Sequence, residues 1–278
     1  MTVKEFAPAK INLTLHVTGR RSDGYHLLDS LVVFAGVGDW LEATVAPTSS
    51  LSVAGPRAAG VPEDGRNLIL KAAALMPDFG ARFKLEKHLP AASGIGGGSA
   101  DAAAALRLLS AVSGGELPTF EEVLRLGADV PVCLNSQSCR MRGIGDQISP
   151  VRLDGAMHFL LVNPLVEVHT PDVFRALDQK DNAPMPAELP ELTDFNTVIG
   201  FIKQQRNDLQ VAAIQTRPVI ADVLNVIAET ENCALARMSG SGATCFGLFN
   251  TAKDAARAAA KLRNTHPEWW ATSGPMFS

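Results

Sequence analysis

The segment "KINLTLHV", residues 10–17, alternates apolar and polar positions without a break. Ile11, Leu13, Leu15 and Val17 fall on one side, and Lys10, Asn12, Thr14 and His16 on the other, the period of a half-buried strand. Lys10 and Asn12 would then share a face, about 6.6 Å apart along the strand. "RRSDGYH" breaks the pattern with a turn at Asp23-Gly24. "SLVVFAGVGDWLEATVA" reads as one or two strands, "NLILKAAALM" as a short helix, and "ARFKLEKHL" as a strand leading into "PAASGIGGGSA". After that glycine cluster, Ser99 can cap a helix of alanine and leucine running to about Val112. Thr119 with Glu122 fits a capping box for the next helix, which Gly127 stops.

"CRMRGIGDQISPV" predicts a hairpin that closes the first half. The second half opens with the strand "HFLLVNP" and a helix capped by Thr170, with Pro171 at its first position. The proline-rich "DNAPMPAELPEL" is a loop, and helical stretches follow from about Phe195 to Thr230. "CALARM" and "CFGLF" are strands on either side of the glycine turn "SGSGAT". The helix "AKDAARAAAKLRN" precedes a short strand near Trp269. Strands and helices mix without a regular βαβ beat, so the class is α+β.

The 278 residues allow one large domain or two small ones, and 46% hydrophobic residues suffice for a core. A net charge of −4 argues against a protein that wraps nucleic acid. Cys133, Cys139, Cys233 and Cys245 form no CxxC pair and no zinc spacing, the mark of reduced, buried thiols. Apolar runs such as "LVVFAGV" fall short of a membrane span, and "MTVKEFAPAK" lacks the apolar core of a secretion signal. The expectation is a soluble cytoplasmic protein with no membrane partner.

The glycine cluster fits neither familiar nucleotide pattern. Gly98 is followed by Ser99 and Ala100 rather than Lys-Ser/Thr, and the last position of G-x-G-x-x-G is Ser99. The physics outlives the failed patterns. Bare glycine amides can converge on an anion, and a helix start adds about half a positive charge. The same cluster also suits a turn that merely lets the helix pack closely.

Four segments in order narrow this: "PAKINLTLHVTGRRSDGYH", "LPAASGIGGGSADAAAAL", "GADVPVCL" and "MSGSGATCFGLF". Together they resemble the GHMP kinases, small-molecule kinases without the usual phosphate loop. "PAKINL" followed by "DGYH", "GIGGGSADAA", and "RNDL" at Arg206–Leu209 are most similar to members that act on a cytidine-diphosphate-linked sugar alcohol.

The resemblance implies a two-domain fold with the active site in the cleft between the domains. Residues 1–152 would form an N-terminal ATP-binding and catalytic domain, and residues 153–278 a C-terminal substrate-side domain. It implies transfer of the γ-phosphate of ATP, with Mg2+, to a hydroxyl on the non-mevalonate route to isoprenoid precursors. Alternatives are a GHMP kinase for mevalonate, homoserine or a sugar, and a silent GHMP-fold binding protein. The residues at the motif positions carry the roles. Lys10 and Asp129 would be catalytic. Pro90, Ala91, Ala92, Ser93, Gly94, Ile95, Gly96, Gly97, Gly98, Ser99 and Ala100 would cradle the ATP phosphates. Asn12, Tyr25, His26, Thr170 and Phe174 would bind the substrate, Tyr25 by stacking on the cytosine. No magnesium ligand is named. Ala92 stands where the family commonly has glycine, and Ala100 where it has a second serine.

Read as chemistry, a carboxylate at Asp129 can take a hydroxyl proton, and an ammonium at Lys10 can orient it and stabilise the oxyanion. Tyr25, the single tyrosine, sits at a turn where a ring gains little from packing but offers a stacking plate. Phe174 fits a helix core as well as a stacking role. Asp101, in the first turn after the glycines, would repel ATP unless turned away or reaching a metal. "SGSGAT" is expected to support the phosphate loop, while Arg20, Arg21 and Arg66 read as surface charges.

Overall fold

The computed structural model describes residues 2–277. Its elements run β1 (Thr2–Asn12), β2 (His16–Arg20), β3 (His26–Ala46), β4 (Ser50–Ala54), α1 (Leu68–Ala73), β5 (Gly80–Glu86), α2 (Gly97–Ser113), α3 (Phe120–Leu126) and α4 (Val130–Asn135). They continue β6 (Cys139–Gly143), β7 (Gln147–Pro150), β8 (His158–Asn163), α5 (Thr170–Arg175), α6 (Phe195–Lys203), α7 (Leu209–Thr216) and α8 (Val219–Ala228). β9 (Leu235–Met238), β10 (Cys245–Phe249), α9 (Ala252–Thr265) and β11 (Trp270–Phe277) complete them. The chain gathers into two compact units. One holds the chain up to Lys10, Gly38–Ala91 and Gly96–Ser136; the other holds Ile11–Val37, Ala92–Ile95 and the chain from Gln137 on.

In the first unit the later part of β3 pairs antiparallel with β5, from Trp40↔Glu86 to Ala46↔Gly80, and β4 runs parallel along β5. β5 alternates as its sequence predicts: Ala81, Phe83 and Leu85 are buried while Arg82, Lys84 and Glu86 are exposed. α2 packs on α1 and α4. Its alanines are buried on nearly every side, and their short side chains let the neighbouring helices come close. Arg107 of α2 donates to the Cys133 and Leu134 carbonyls at 2.8 and 3.0 Å, satisfying the C-terminal end of α4.

In the second unit β8 lies between β11 and β10, antiparallel to both, and β9 pairs with the far edge of β10. The first part of β3 pairs with β2 and β6, and β6 with β7 forms the expected hairpin. α9 packs on β8, β10 and β11.

Three local expectations are corrected. First, "KINLTLHV" is not one half-buried strand. β1 ends at Asn12 and β2 begins at His16, and Lys10, Asn12, Thr14 and His16 are all buried. The Leu13 N–H still donates to the Leu31 carbonyl on β3 at 2.8 Å, but the Leu13 carbonyl accepts from the buried Arg237 at 2.8 Å, and Leu15 exchanges hydrogen bonds with Arg206 and Asp208. Alternation separates two faces here, but the polar face meets protein partners instead of water. Second, Ser99 is not the cap of α2. The helix starts two residues earlier, at Gly97, behind Gly96 at φ 64°, a left-handed conformation that glycine adopts without a Cβ clash. Third, His169 rather than Thr170 flanks the start of α5, which moves Pro171 to its second position. The capping box of Thr119 with Glu122 and the stop at Gly127 stand as read.

The proline-rich loop is held by a buried ion pair. Arg140 donates to both Asp29 oxygens at 2.7 Å and to the carbonyls of Met185, Pro186 and Ala187, while Asp29 accepts the Met185 N–H at 2.9 Å. Arg140→Met strands the Asp29 carboxylate, and a loss of about 3–5 kcal/mol in unfolding free energy is expected. Urea denaturation measures it; a loss typical of a surface pair would mean that water reaches the site.

Candidate active site

Lys10 and Asp129 come from opposite ends of the first unit's sequence and meet. Lys10 Nζ donates to Asp129 Oδ1 at 2.6 Å. The Lys10 side chain is 5% exposed and that of Asp129 33%, so the carboxylate is the member of the pair that solvent reaches. Asp129 precedes α4 in helical backbone geometry (φ −90°, ψ −10°), and its side chain makes no capping bond. The local sequence, a glycine stop followed by Val130-Pro131, thus turns the chain while leaving the carboxylate for Lys10. The exit of the glycine loop lies against the same lysine: a Cβ on Gly96 would sit 3.2 Å from Lys10 Cβ.

The loop itself needs its glycines. Gly94 has φ 76°, and a Cβ there would lie 2.6 Å from the Ser239 carbonyl oxygen and 2.8 Å from the Gly242 nitrogen. The turn 239–242 thus presses backbone to backbone against residues 93–94. Ser239 Oγ donates to the Gly94 carbonyl and accepts the Asn12 N–H, both at 3.1 Å, and Thr244 N–H donates to the Ser93 carbonyl. "SGSGAT" does support the loop. "RNDL" supports that turn in its own way, since Asn207 donates to the Met238 and Gly240 carbonyls at 2.8 and 2.9 Å. Ala92 occupies φ 46°, where the glycine usual at that position would be unstrained.

The second unit holds the other predicted residues. Tyr25 is 63% exposed at the turn, an aromatic face in water. His26 and Phe174 stack with ring centroids 4.6 Å apart and planes at 16°. Burial lowers the His26 pKa, with Arg20 and Lys180 adding to the effect, so the ring favours its neutral form. Asn12 is buried and donates to Ser30 Oγ at 2.7 Å. His26 Nδ1 and Asn12 Oδ1 have no hydrogen-bond partner among the described residues. Thr170 shares a 2.8 Å hydroxyl bond with Ser241, which ties the start of α5 to the glycine turn.

Asp101 is buried against a lysine that the sequence patterns did not single out. Lys87 Nζ donates to Asp101 Oδ2 at 2.6 Å and to Asp39 Oδ2 at 2.5 Å. A signal was present. Asp39 has the parity of Leu41 and Ala43 on β3, and Lys87 continues the parity of Ala81, Phe83 and Leu85; a charge at an apolar position needs a buried partner.

No disulfide joins the cysteines, and burial pushes the Cys133 and Cys245 thiols up, away from nucleophilic use. Among the described residues no group of three or more His, Cys, Asp or Glu side chains could hold a metal. No helix among the described residues is long and apolar enough to cross a membrane.

A lysine–carboxylate pair and a glycine loop both suit a small-molecule kinase, and the chain belongs to the GHMP kinase family. Residues 67–151 match the family's N-terminal domain and residues 190–268 its C-terminal one. Among named relatives the chain is similar to 4-diphosphocytidyl-2-C-methyl-D-erythritol kinase of Dinoroseobacter shibae, 56% identical over 95% of this chain and 92% of the relative. The enzyme of the same name from Ruegeria pomeroyi is 53% identical over the full length of both chains. A crystal structure of 4-(cytidine 5'-diphospho)-2C-methyl-D-erythritol kinase superposes with a TM-score of 0.81, at 32% identity over 99% of this chain and 100% of that one.

Gly94→Ala forces the 239–242 turn to move, and a loss of about 1–3 kcal/mol is expected in urea unfolding. Gly98→Ala meets only Leu68 Cδ1 at 3.7 Å and is expected to be neutral or stabilising. Equal effects from the two would detach the loop from the turn.

Proposed function

We propose that the protein transfers the γ-phosphoryl group of ATP to a hydroxyl of 4-diphosphocytidyl-2-C-methyl-D-erythritol, in the non-mevalonate supply of isoprenoid precursors. The observation that carries this reading is the 2.6 Å Lys10–Asp129 contact at the loop exit, in a chain 56% identical to an enzyme of that name.

The chain's part in the reaction follows from charge and position. The loop amides from Ser93 to Gly98 and the start of α2 receive the phosphate oxygens of ATP. A bound magnesium would supply neutralisation of the charge that builds on those phosphates. Asp129 takes the proton of the acceptor hydroxyl as its oxygen forms a bond to the γ-phosphorus; the bond from that phosphorus to the bridging oxygen breaks, and ADP leaves. Lys10 holds Asp129 in place and stabilises the negative charge that develops on the acceptor oxygen. The transition state is loose, so positioning and neutralisation carry most of the rate, and neither residue needs a covalent role.

On the substrate side, Tyr25 supplies an exposed plate for the cytosine. Phe174 steadies the His26 ring, and the unsatisfied His26 Nδ1 and Asn12 Oδ1 are available to polar groups of the substrate. Thr170, bonded to Ser241, completes the pocket from α5.

The direct test is incubation with ATP, magnesium and the cytidylyl alcohol, with phosphorus NMR for a new phosphate monoester. In that assay Asp129→Asn is expected to keep ATP binding and lose about 10²–10⁴ in kcat. Full activity in that variant removes the base. Tyr25→Ala is expected to raise the KM for the cytidylyl substrate by about 5- to 150-fold, from the usual worth of base–aromatic stacking, with little change for ATP. Equal rises in both KM values contradict the stacking role.

A further inference from the structure

A second buried charge cluster lies under the stems of the phosphate loop, and the reaction just described does not use it. Lys87 is 3% exposed, Asp39 0% and Asp101 3%. Besides the lysine, Asp39 accepts the backbone N–H groups of His88 at 2.6 Å and Leu89 at 2.9 Å, the residues that lead into Pro90. Asp101 stands near the start of α2, the helix that leads out of the loop. The lysine head also lies against the bare helix start, 3.3 Å from where a Cβ on Gly97 would be. Asp39, Lys87 and Asp101 therefore tie both stems of the loop to one ammonium.

The cluster is costly. Burial pushes the Asp101 carboxyl up; Lys87 opposes that rise and Asp39 adds to it. Burial also works against the Lys87 ammonium, yet Asp101 and Asp39 together hold its pKa above the usual lysine value. Apolar residues of similar volume commonly fold as stably as a buried ionic cluster or more so. What apolar residues lack is direction: three charge-assisted groups at 2.5–2.6 Å fix a spacing that packing alone leaves softer.

We propose that Lys87, clamped by Asp39 and Asp101, is a positioning residue for the nucleotide. It sets the distance between the strand end that enters the loop and the helix that leaves it, so that the loop amides converge on the phosphates. This rests on the reading of Pro90–Ala100 as the phosphate loop.

Three variants test it: Lys87→Met, Asp101→Asn and Asp101→Leu, each compared with the unmodified protein. The measurements are calorimetric titration with ATP, separate KM values for ATP and the cytidylyl alcohol, and urea unfolding. Asp101→Asn keeps the shape and an acceptor for Lys87, and is expected to hold the ATP KM within about threefold. Lys87→Met and Asp101→Leu are expected to weaken ATP by about tenfold or more, with the alcohol KM nearly unchanged. Lys87→Met leaves two carboxylates facing each other; if it does not fold, the Asp101 pair decides. Unchanged ATP affinity in folded Asp101→Leu overturns the inference, as does a parallel rise of both KM values. If the unmodified protein binds no ATP, the loop reading falls first and takes this inference with it.

Discussion

The contact between Lys10 Nζ and Asp129 Oδ1 is the constraint on which the proposed chemistry depends. An ammonium buried to this extent is expensive without a partner, and one carboxylate oxygen supplies it. Because Asp129 remains a third exposed while Lys10 is enclosed, the pair presents a carboxylate already oriented by a cation. Such preorganisation avoids rearranging charge during the reaction. The elements around it serve this placement: the end of β1 carries the lysine, the stop at Gly127 delivers the carboxylate, and Gly96 lets the loop pass close to the lysine stem.

The glycine loop shows a division of labour. It contributes backbone and almost no side chains, so it cannot hold its own shape. Its shape is imposed from outside, by the glycine turn at Ser239–Gly242 on residues 93 and 94 and by buried charges on the stems. That arrangement explains why neither familiar glycine pattern fits. The G-x-x-x-x-G-K-[ST] pattern carries its own lysine within the loop, whereas here residues 93 and 94 are braced by a turn distant in sequence.

Much of the fold was legible because its signals are local. β5 alternates over six residues, Thr119 and Glu122 reach one another across a single turn, and the "CRMRGIGDQISPV" hairpin closes over a few residues. The candidate site was legible in another way, through motif segments that named Lys10, Asp129 and the glycine loop. The readings that failed share one cause. Burying the polar face of residues 10–16, and interrupting the strand between Asn12 and His16, needs partners at residues 183, 206, 208 and 237. Ser99 and Thr170 are good caps by type, yet in the structure the loops' own course starts each helix earlier than these residues suggest.

Residue order alone therefore dictates most of the periodic elements and turns, some of the caps, and the stock of chemical groups, because these depend on hydrogen bonds and sterics within a few residues. Folding groups the chain by contact in interleaved pieces, and pairs groups as distant as Lys10 and Asp129, 119 residues apart. Which charges are buried, and against whom, follows from desolvation, and desolvation exists only once the whole chain has closed around them.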